Sequence, residues 1–164
     1  MAVHEELLDE AERRGPGLVM ASTVVVMMAR DGHYAVLWAG DSRVYRLRGD
    51  VLSQVTRDHS LVQELVDSGE LTPEQAEAHP QANIITRAVG AGDDALMLDK
   101  VTGELMPGDR FLLCSDGLSK CLPDAEIAGL LRAPEGVEPT ELLISAALAR
   151  HASDNVTAVV VAVD

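Results

Sequence analysis

Aromatic side chains are almost missing from this chain, which has one Trp, two Tyr and one Phe in 164 residues. A core based on ring packing is thereby excluded, and the 47% of hydrophobic residues must close the interior with Val, Leu, Ile, Ala and Met. Basic residues are scarce too, with 13 Lys plus Arg against 27 Asp plus Glu and a formal net charge of -14. That balance argues against nucleic acid or an anionic membrane as a partner and favours a metal, solvent or a basic partner. The two cysteines, Cys114 and Cys121, give no disulfide framework, and there is no apolar leader at the N-terminus. The longest apolar runs, 24–29 and 156–163, suit buried strands better than a membrane span. Together these shortages predict a cytoplasmic protein.

The hydrophobic pattern that is present changes period along the chain. Residues 3–14 mix acids with Leu7, Leu8 and Ala11 and stop at Gly15-Pro16-Gly17, which predicts an amphipathic helix. The β-branched run within 18–29 predicts a strand buried on both faces, and Arg30-Asp31-Gly32-His33 supplies a hairpin turn into a second strand at 34–39. Strands at 42–47 and 51–55 follow, and the four are expected to form one antiparallel meander. Ser60 with Gln63, and Thr72-Pro73-Glu74-Gln75, are helix-start signals for two short helices. They open an excursion over residues 58–90 that reads as a flap covering one end of the sheet. Strands at 95–101 and 110–114, helices after Pro123 and Thr140, and a last strand at 156–163 complete an α+β pattern in a single domain, 1–164.

Three acids stand where apolar runs break into turns: Asp41 in Gly40-Asp41-Ser42-Arg43, Asp116 in Ser115-Asp116-Gly117, and Asp154 in Ser153-Asp154-Asn155-Val156. Each alone reads as a turn residue. Gathered on one sheet edge, they would offer hard oxygen donors to a divalent cation. No Ser/His/Asp or Cys/His set competes, since Cys114 lies inside an apolar strand and reads as structural. His4, His33, His79 and His151 show no metal-ligand spacing. Arg43 reads as a brace for a carboxylate or a steering group for phosphate, and Arg87 carries the same two readings. His59 could donate a proton to a leaving group, but it sits in Thr56-Arg57-Asp58-His59-Ser60, a strand-to-helix junction, and reads as structural there. The apolar face of the helix that follows, with Leu61, Val62, Leu65 and Val66, reads as packing on its own domain.

In this order, Gly40-Asp-Ser-Arg43, Thr56-Arg-Asp-His59, Asn83-Ile-Ile-Thr-Arg-Ala-Val-Gly90, Gly108-Asp-Arg-Phe-Leu-Leu-Cys-Ser-Asp-Gly117 and Asp154-Asn-Val-Thr157 resemble the later motifs of the PP2C-type (PPM family) metal-dependent serine/threonine protein phosphatases. Met20-Ala21-Ser22-Thr23 is similar to an earlier strand of that family. The resemblance implies an αββα layered sandwich of mainly antiparallel sheets. It further implies a pair of Mn2+ or Mg2+ ions held with Asp116 and Asp154 as ligands, and Asp41 joining Asp116 in a third, looser metal site. Gly117 and Asn155 enter as neighbours that support the ligands or steer phosphate, and His59 and Arg87 as flap residues. The activity implied is hydrolysis of phosphoserine or phosphothreonine by a metal-activated water, on a phosphoprotein substrate and in the company of a serine/threonine kinase or its targets.

The family's N-terminal arginine, its acid near an Asn-Glu-Asp motif and its bridging Asp-Gly aspartate have no counterpart here, since Asp31-Gly32 reads as a hairpin turn. The expectation is therefore a domain without its N-terminal strands, weakly active or inactive alone, with an open edge able to form an edge-strand dimer. Two rival readings remain: a noncatalytic phosphatase-like module that binds a kinase or phosphoprotein, and an acidic α+β binding domain whose three acids serve only as turn residues.

Overall fold

The computed structural model describes residues 2–92, 95–134 and 136–164. Helices and strands alternate as α1 (Ala2–Arg14), β1 (Val24–Arg30), β2 (His33–Ala39), β3 (Arg43–Arg48), β4 (Val51–Gln54), α2 (Leu61–Asp67), α3 (Pro73–Glu77), β5 (Asp99–Glu104), β6 (Arg110–Cys114), α4 (Asp116–Ser119), α5 (Asp124–Leu131), α6 (Pro139–Ala149) and β7 (Ala158–Ala162). The strands form two sheets, one of three strands ordered β1-β2-β5 and one of four ordered β4-β3-β6-β7. The fold is therefore α+β, as the sequence pattern predicts.

The expected four-strand meander is divided. Asp31 and Gly32 both have positive φ, 49° and 73°, as a tight two-residue hairpin between twisted strands requires, so β1 and β2 do pair. After β2 the chain leaves that sheet, and β3 begins the second one. The change occurs at Gly40, whose φ is 114° and where a Cβ would lie 2.4 Å from the Thr23 side chain. Only glycine meets both conditions. Alternation of polar and apolar residues marks strands but does not say which strand neighbours which.

Strand β1 also differs from expectation. It starts at Val24, stands at the end of its sheet and leaves Val26 and Met28 44% and 52% exposed. Its β-branched run reflects the preference of such side chains for extended backbone, which holds on edge and central strands alike.

The chain forms two compact units: Met1–Val26, Leu37–Asp41 and Arg57–Lys100 make up the first, and Met27–Val36, Ser42–Thr56 and Val101–Asp164 the second. In the first, α1 is fixed where His4 Nδ1 accepts a 2.9 Å hydrogen bond from Gly90 N–H, and Ser22 and Val89 exchange two main-chain bonds of 2.9 Å. The excursion at 58–90 is pinned at its base by Thr86 N–H to His59 O (2.9 Å) and Leu61 N–H to Ile84 O (3.0 Å). Ser60 caps α2 by accepting from Gln63 N–H, while the Gln63 side chain donates to Asp67 instead of closing a capping box. Thr72 and Gln75 do form the complete box on α3.

In the second unit β3 pairs antiparallel with both β4 and β6, placing Tyr45 between Gln54 and Leu112, and β6 pairs antiparallel with β7, setting Leu112 opposite Val160. The helix-side face of this sheet contributes Tyr45, Leu47, Leu112 and Cys114 to a core completed by Leu118, Leu122, Ile127, Leu131, Leu143 and Ala147. The helix expected to start at Thr140 begins one residue earlier, with Glu138 as its N-cap and Pro139 in its first turn. Proline suits that place because its missing N–H is one the helix start leaves unpaired anyway. Beneath the turn before β6, the fully buried Asp109 accepts two 2.7 Å hydrogen bonds from Arg48, and Met106 N–H adds a third of 2.9 Å.

Candidate metal centre

Strand β6 ends at Cys114, paired with Ala158 at the start of β7, so the residues after one strand and before the other meet at the same end of the sheet. Ser115 ties them together. Its N–H donates to Thr157 O (3.1 Å), its hydroxyl donates to Asn155 O (3.0 Å), and the same Oγ accepts from Thr157 N–H (3.0 Å). Next to it, a Cβ on Gly117 would lie 2.5 Å from Asn155 O and 3.2 Å from Asp154 O. The main chain carrying Asp154 and Asn155 therefore rests directly on Gly117, and any larger residue there would push it away.

Asp116 and Asp154 thus lie on one strand-end platform. The Asp116 carboxylate accepts from Lys120 Nζ at 2.8 Å, one turn along α4. Asp154 Oδ1 accepts from Asn155 N–H at 2.7 Å, which fixes the rotation of its carboxylate. Asn155 holds this platform through its main chain, donating to Asp154 and accepting from Ser115. Carboxylate pairs of this kind suit Mg2+ or Mn2+, hard cations that keep several waters and bind through one or two protein carboxylates plus substrate phosphate. Among the described residues no group of three or more His, Cys, Asp or Glu side chains is assembled for a metal.

Asp41 belongs to the first unit, buried at 5% exposure beside Gly40. The Gly40–Asp41 turn is held by His59. Gly40 N–H donates to His59 Nδ1 (3.1 Å) and Gly40 O accepts from His59 N–H (3.0 Å). With Nδ1 accepting, the His59 proton is on Nε2, which lies 3.2 Å from Asp99 Oδ2. Arg87 Nη1 reaches Asp99 Oδ1 at 2.5 Å. Burial works against the charge on Asp99, but the hydrogen bonds from His59 and Arg87 prevail and hold its carboxyl below the ordinary value. Trp38 stacks on the His59 ring at a centroid distance of 6.0 Å and donates its indole N–H to Arg57 O at 2.8 Å. His59 is thus a main-chain clamp, and Arg87 secures it through Asp99.

Arg43 Nη1 donates to the Tyr45 hydroxyl at 2.9 Å, and burial pushes the titration of that hydroxyl well up, so it stays neutral. An open groove of about 540 Å³ in the first unit runs past Ser22, Ile85, Arg87, Leu96 and Met97. Lys120, Ser115, Trp38 and Asp99 escape a reading of the sequence. Only Lys120 leaves a signal there, as a cation four residues after Asp116 at a helix start.

The protein phosphatase 2C family model matches residues 2–150, and the chain belongs to that family. Over 141 residues it is 41% identical to the serine/threonine protein phosphatase PstP of Mycobacterium tuberculosis, a match covering 86% of this chain and 27% of PstP. Over 163 residues it is 38% identical to the protein phosphatase PhpP of Streptococcus pneumoniae, covering 99% of this chain and 64% of PhpP. The solved structure of PppA, a regulatory component of the type VI secretion system in Pseudomonas aeruginosa, superposes with a TM-score of 0.87 at 44% identity, covering 98% of this chain and 65% of PppA. The chain thus spans from about a quarter to just under two thirds of the length of these relatives.

Proposed function

We propose that this chain carries the later part of a metal-dependent protein serine/threonine phosphatase domain, acting on phosphoserine or phosphothreonine in phosphoproteins of the cytoplasm. The observation that carries the reading is the joining of Asp116 and Asp154 at one end of the β6–β7 pair, with Ser115 and Gly117 locking the two segments together. Asp116 and Asp154 would hold Mn2+ or Mg2+, and Asp41 would add a further carboxylate. A solved PstP catalytic domain, 36% identical to this chain, is in complex with two manganese ions. When bound, such ions lower the pKa of a water and draw charge from the phosphoryl oxygens. Asn155 N–H keeps the Asp154 carboxylate turned, Lys120 balances the Asp116 charge, and His59 and Arg87 fix the base of the flap at 58–90.

Titrating the 164-residue chain with Mn2+ by calorimetry, alongside a phosphopeptide assay, tests this. Measurable Mn2+ binding that falls at least tenfold in Asp116→Asn, with an unchanged far-UV spectrum, is the expected result. Hydrolysis by the chain alone is expected to be slow, because three carboxylates without a bridging aspartate leave a two-ion centre short of ligands. No Mn2+ binding at millimolar metal would overturn the proposal. The rival reading, a noncatalytic phosphatase-like module that binds a kinase or phosphoprotein, is favoured by the lack of a three-ligand cluster among the described residues. It predicts phosphopeptide binding that is indifferent to Mn2+ and to Asp116→Asn.

A further inference from the structure

Two acids of the second unit are held in opposite ways. Asp109 is fully buried and takes two hydrogen bonds from the planar fork of Arg48, a grip suited to permanent structure. Asp116 Oδ2 instead meets the ammonium of Lys120 at 2.8 Å, with the two side chains 29% and 39% exposed. An ammonium is a compact charge on a flexible four-carbon stem, and a pair this open to water adds little to stability. Nor does the local fold depend on it. Lys120 N–H donates to Asp116 O at 2.9 Å, Leu118 and Leu122 are buried in the core, and Gly117 rests against the main chain of Asp154 and Asn155. The main chain under both residues is thus set without the ion pair. What the ammonium does is hold the carboxylate that the proposed metal needs. Mg2+ or Mn2+ bound at about 2.1 Å from either Asp116 oxygen would stand within roughly 7 Å of that ammonium, inside the screening length of about 8 Å, so the two cations repel.

We propose that Lys120 is a resident counter-ion that a divalent metal must displace from Asp116, and that it thereby sets the metal concentration at which the strand-end platform fills. The inference rests on the reading of Asp116 as a metal ligand. In the metal-free chain the ammonium offsets the charge of Asp116 beside the Asp154 segment. When Mn2+ or Mg2+ arrives, the arm swings into solvent while its own main chain stays in place. Lys120 touches no reacting atom and acts on the metal through Asp116. A lysine that merely holds Asp116 in a productive rotamer has the opposite signature, since its loss would weaken metal binding. The sign of the effect therefore separates the two roles.

Calorimetric titration with Mn2+ compares the 164-residue chain with Lys120→Met, which keeps an apolar stem and loses the charge, and with Lys120→Arg, which keeps the charge and is able to grip both carboxylate oxygens. Lys120→Met should bind Mn2+ roughly three- to tenfold more tightly than the parent, as removing one nearby positive charge at a water-exposed site implies, and Lys120→Arg no more tightly than the parent. A second readout follows the arm itself. Lys100 and Lys120 are the two lysines of the chain, so carbon-13 labelling of lysine gives one Cε signal for each, with the exposed Lys100 as internal reference. Saturating Mg2+, used here because it is diamagnetic, should move the Lys120 signal to the position it holds in Asp116→Asn and leave Lys100 unmoved. If Asp116→Asn abolishes Mn2+ binding but Lys120→Met binds equally or more weakly, or if Mg2+ leaves the Lys120 signal in place, the counter-ion role is overturned and the metal reading stands. If neither the parent nor Lys120→Met binds Mn2+ at millimolar metal, both are overturned.

Discussion

Replacing Gly117 by Ala tests the platform beneath the candidate metal centre in a single methyl group. The added carbon would lie 2.5 Å from Asn155 O, 3.1 Å from Asn155 C and 3.2 Å from Asp154 O. All three are main-chain atoms, so no side-chain rotation can relieve the clash. Overpacking of this kind costs about 1–3 kcal/mol, which for a chain of this length lowers the melting temperature by roughly 3–10 °C. Gly129 is the control. It lies in α5 without positive φ, and a Cβ there meets nothing within 4 Å. Gly129→Ala should therefore raise stability by about 0.5–1 kcal/mol, or roughly 1–4 °C. The same chemical change should thus act with opposite signs at two places in one unit. Differential scanning calorimetry reads both shifts, and Mn2+ titration of Gly117→Ala should show weakened binding as the Asp154 segment moves. If Gly117→Ala melts within 1 °C of the parent and binds Mn2+ equally well, the contact does not couple the two acids, and the reasoning fails.

Asp109→Asn should destabilise the second unit by about 1–3 kcal/mol, because the buried Asp109 side chain loses the charge that accepts two hydrogen bonds from Arg48. The hydrogen bonds from Arg48 hold the Asp109 carboxyl below its ordinary value against the opposing effect of burial. A lowered folded-state pKa contributes stability above the unfolded value near 4 and loses it as pH falls toward the folded one. Chemical denaturation between pH 5 and 2 should therefore show a loss of stability that Asp109→Asn makes shallower. Thr72→Ala removes the acceptor for Gln75 N–H in the α3 capping box, at about 1 kcal/mol. Hydrogen exchange should detect faster opening at 72–78 with the second unit unchanged.

Much of this was legible because local chemistry decides it. Strand β6 falls on residues 110–114 as expected, since an apolar run follows a Pro-Gly-Asp turn and stops at a polar Ser-Asp. The 30–33 hairpin is legible for the same reason, with Asp-Gly marking positive φ. Pairing between distant segments was not legible. Nothing in residues 40–43 states that the chain changes sheets there, because the deciding clash involves Thr23, far away in sequence. The candidate site divides along the same line. Asp116, Asp154 and Gly117 stand out as turn residues, whereas the Asp99 carboxylate that receives His59 and Arg87 has no sequence signal, being defined only once β5 is in place.

The single tryptophan offers an optical handle. Trp38 is 5% exposed, stacked on the His59 ring and hydrogen-bonded to Arg57 O, both in the first unit, so its emission reports the melting of that unit. Far-UV circular dichroism, by contrast, registers α5 and α6 of the second unit as well as the helices of the first. Coincidence of the two curves is the standard criterion for all-or-none unfolding. Followed together in one denaturation series, they turn this near-absence of aromatic residues into a direct measure of whether the two units lose structure in a single step, without any label on the protein.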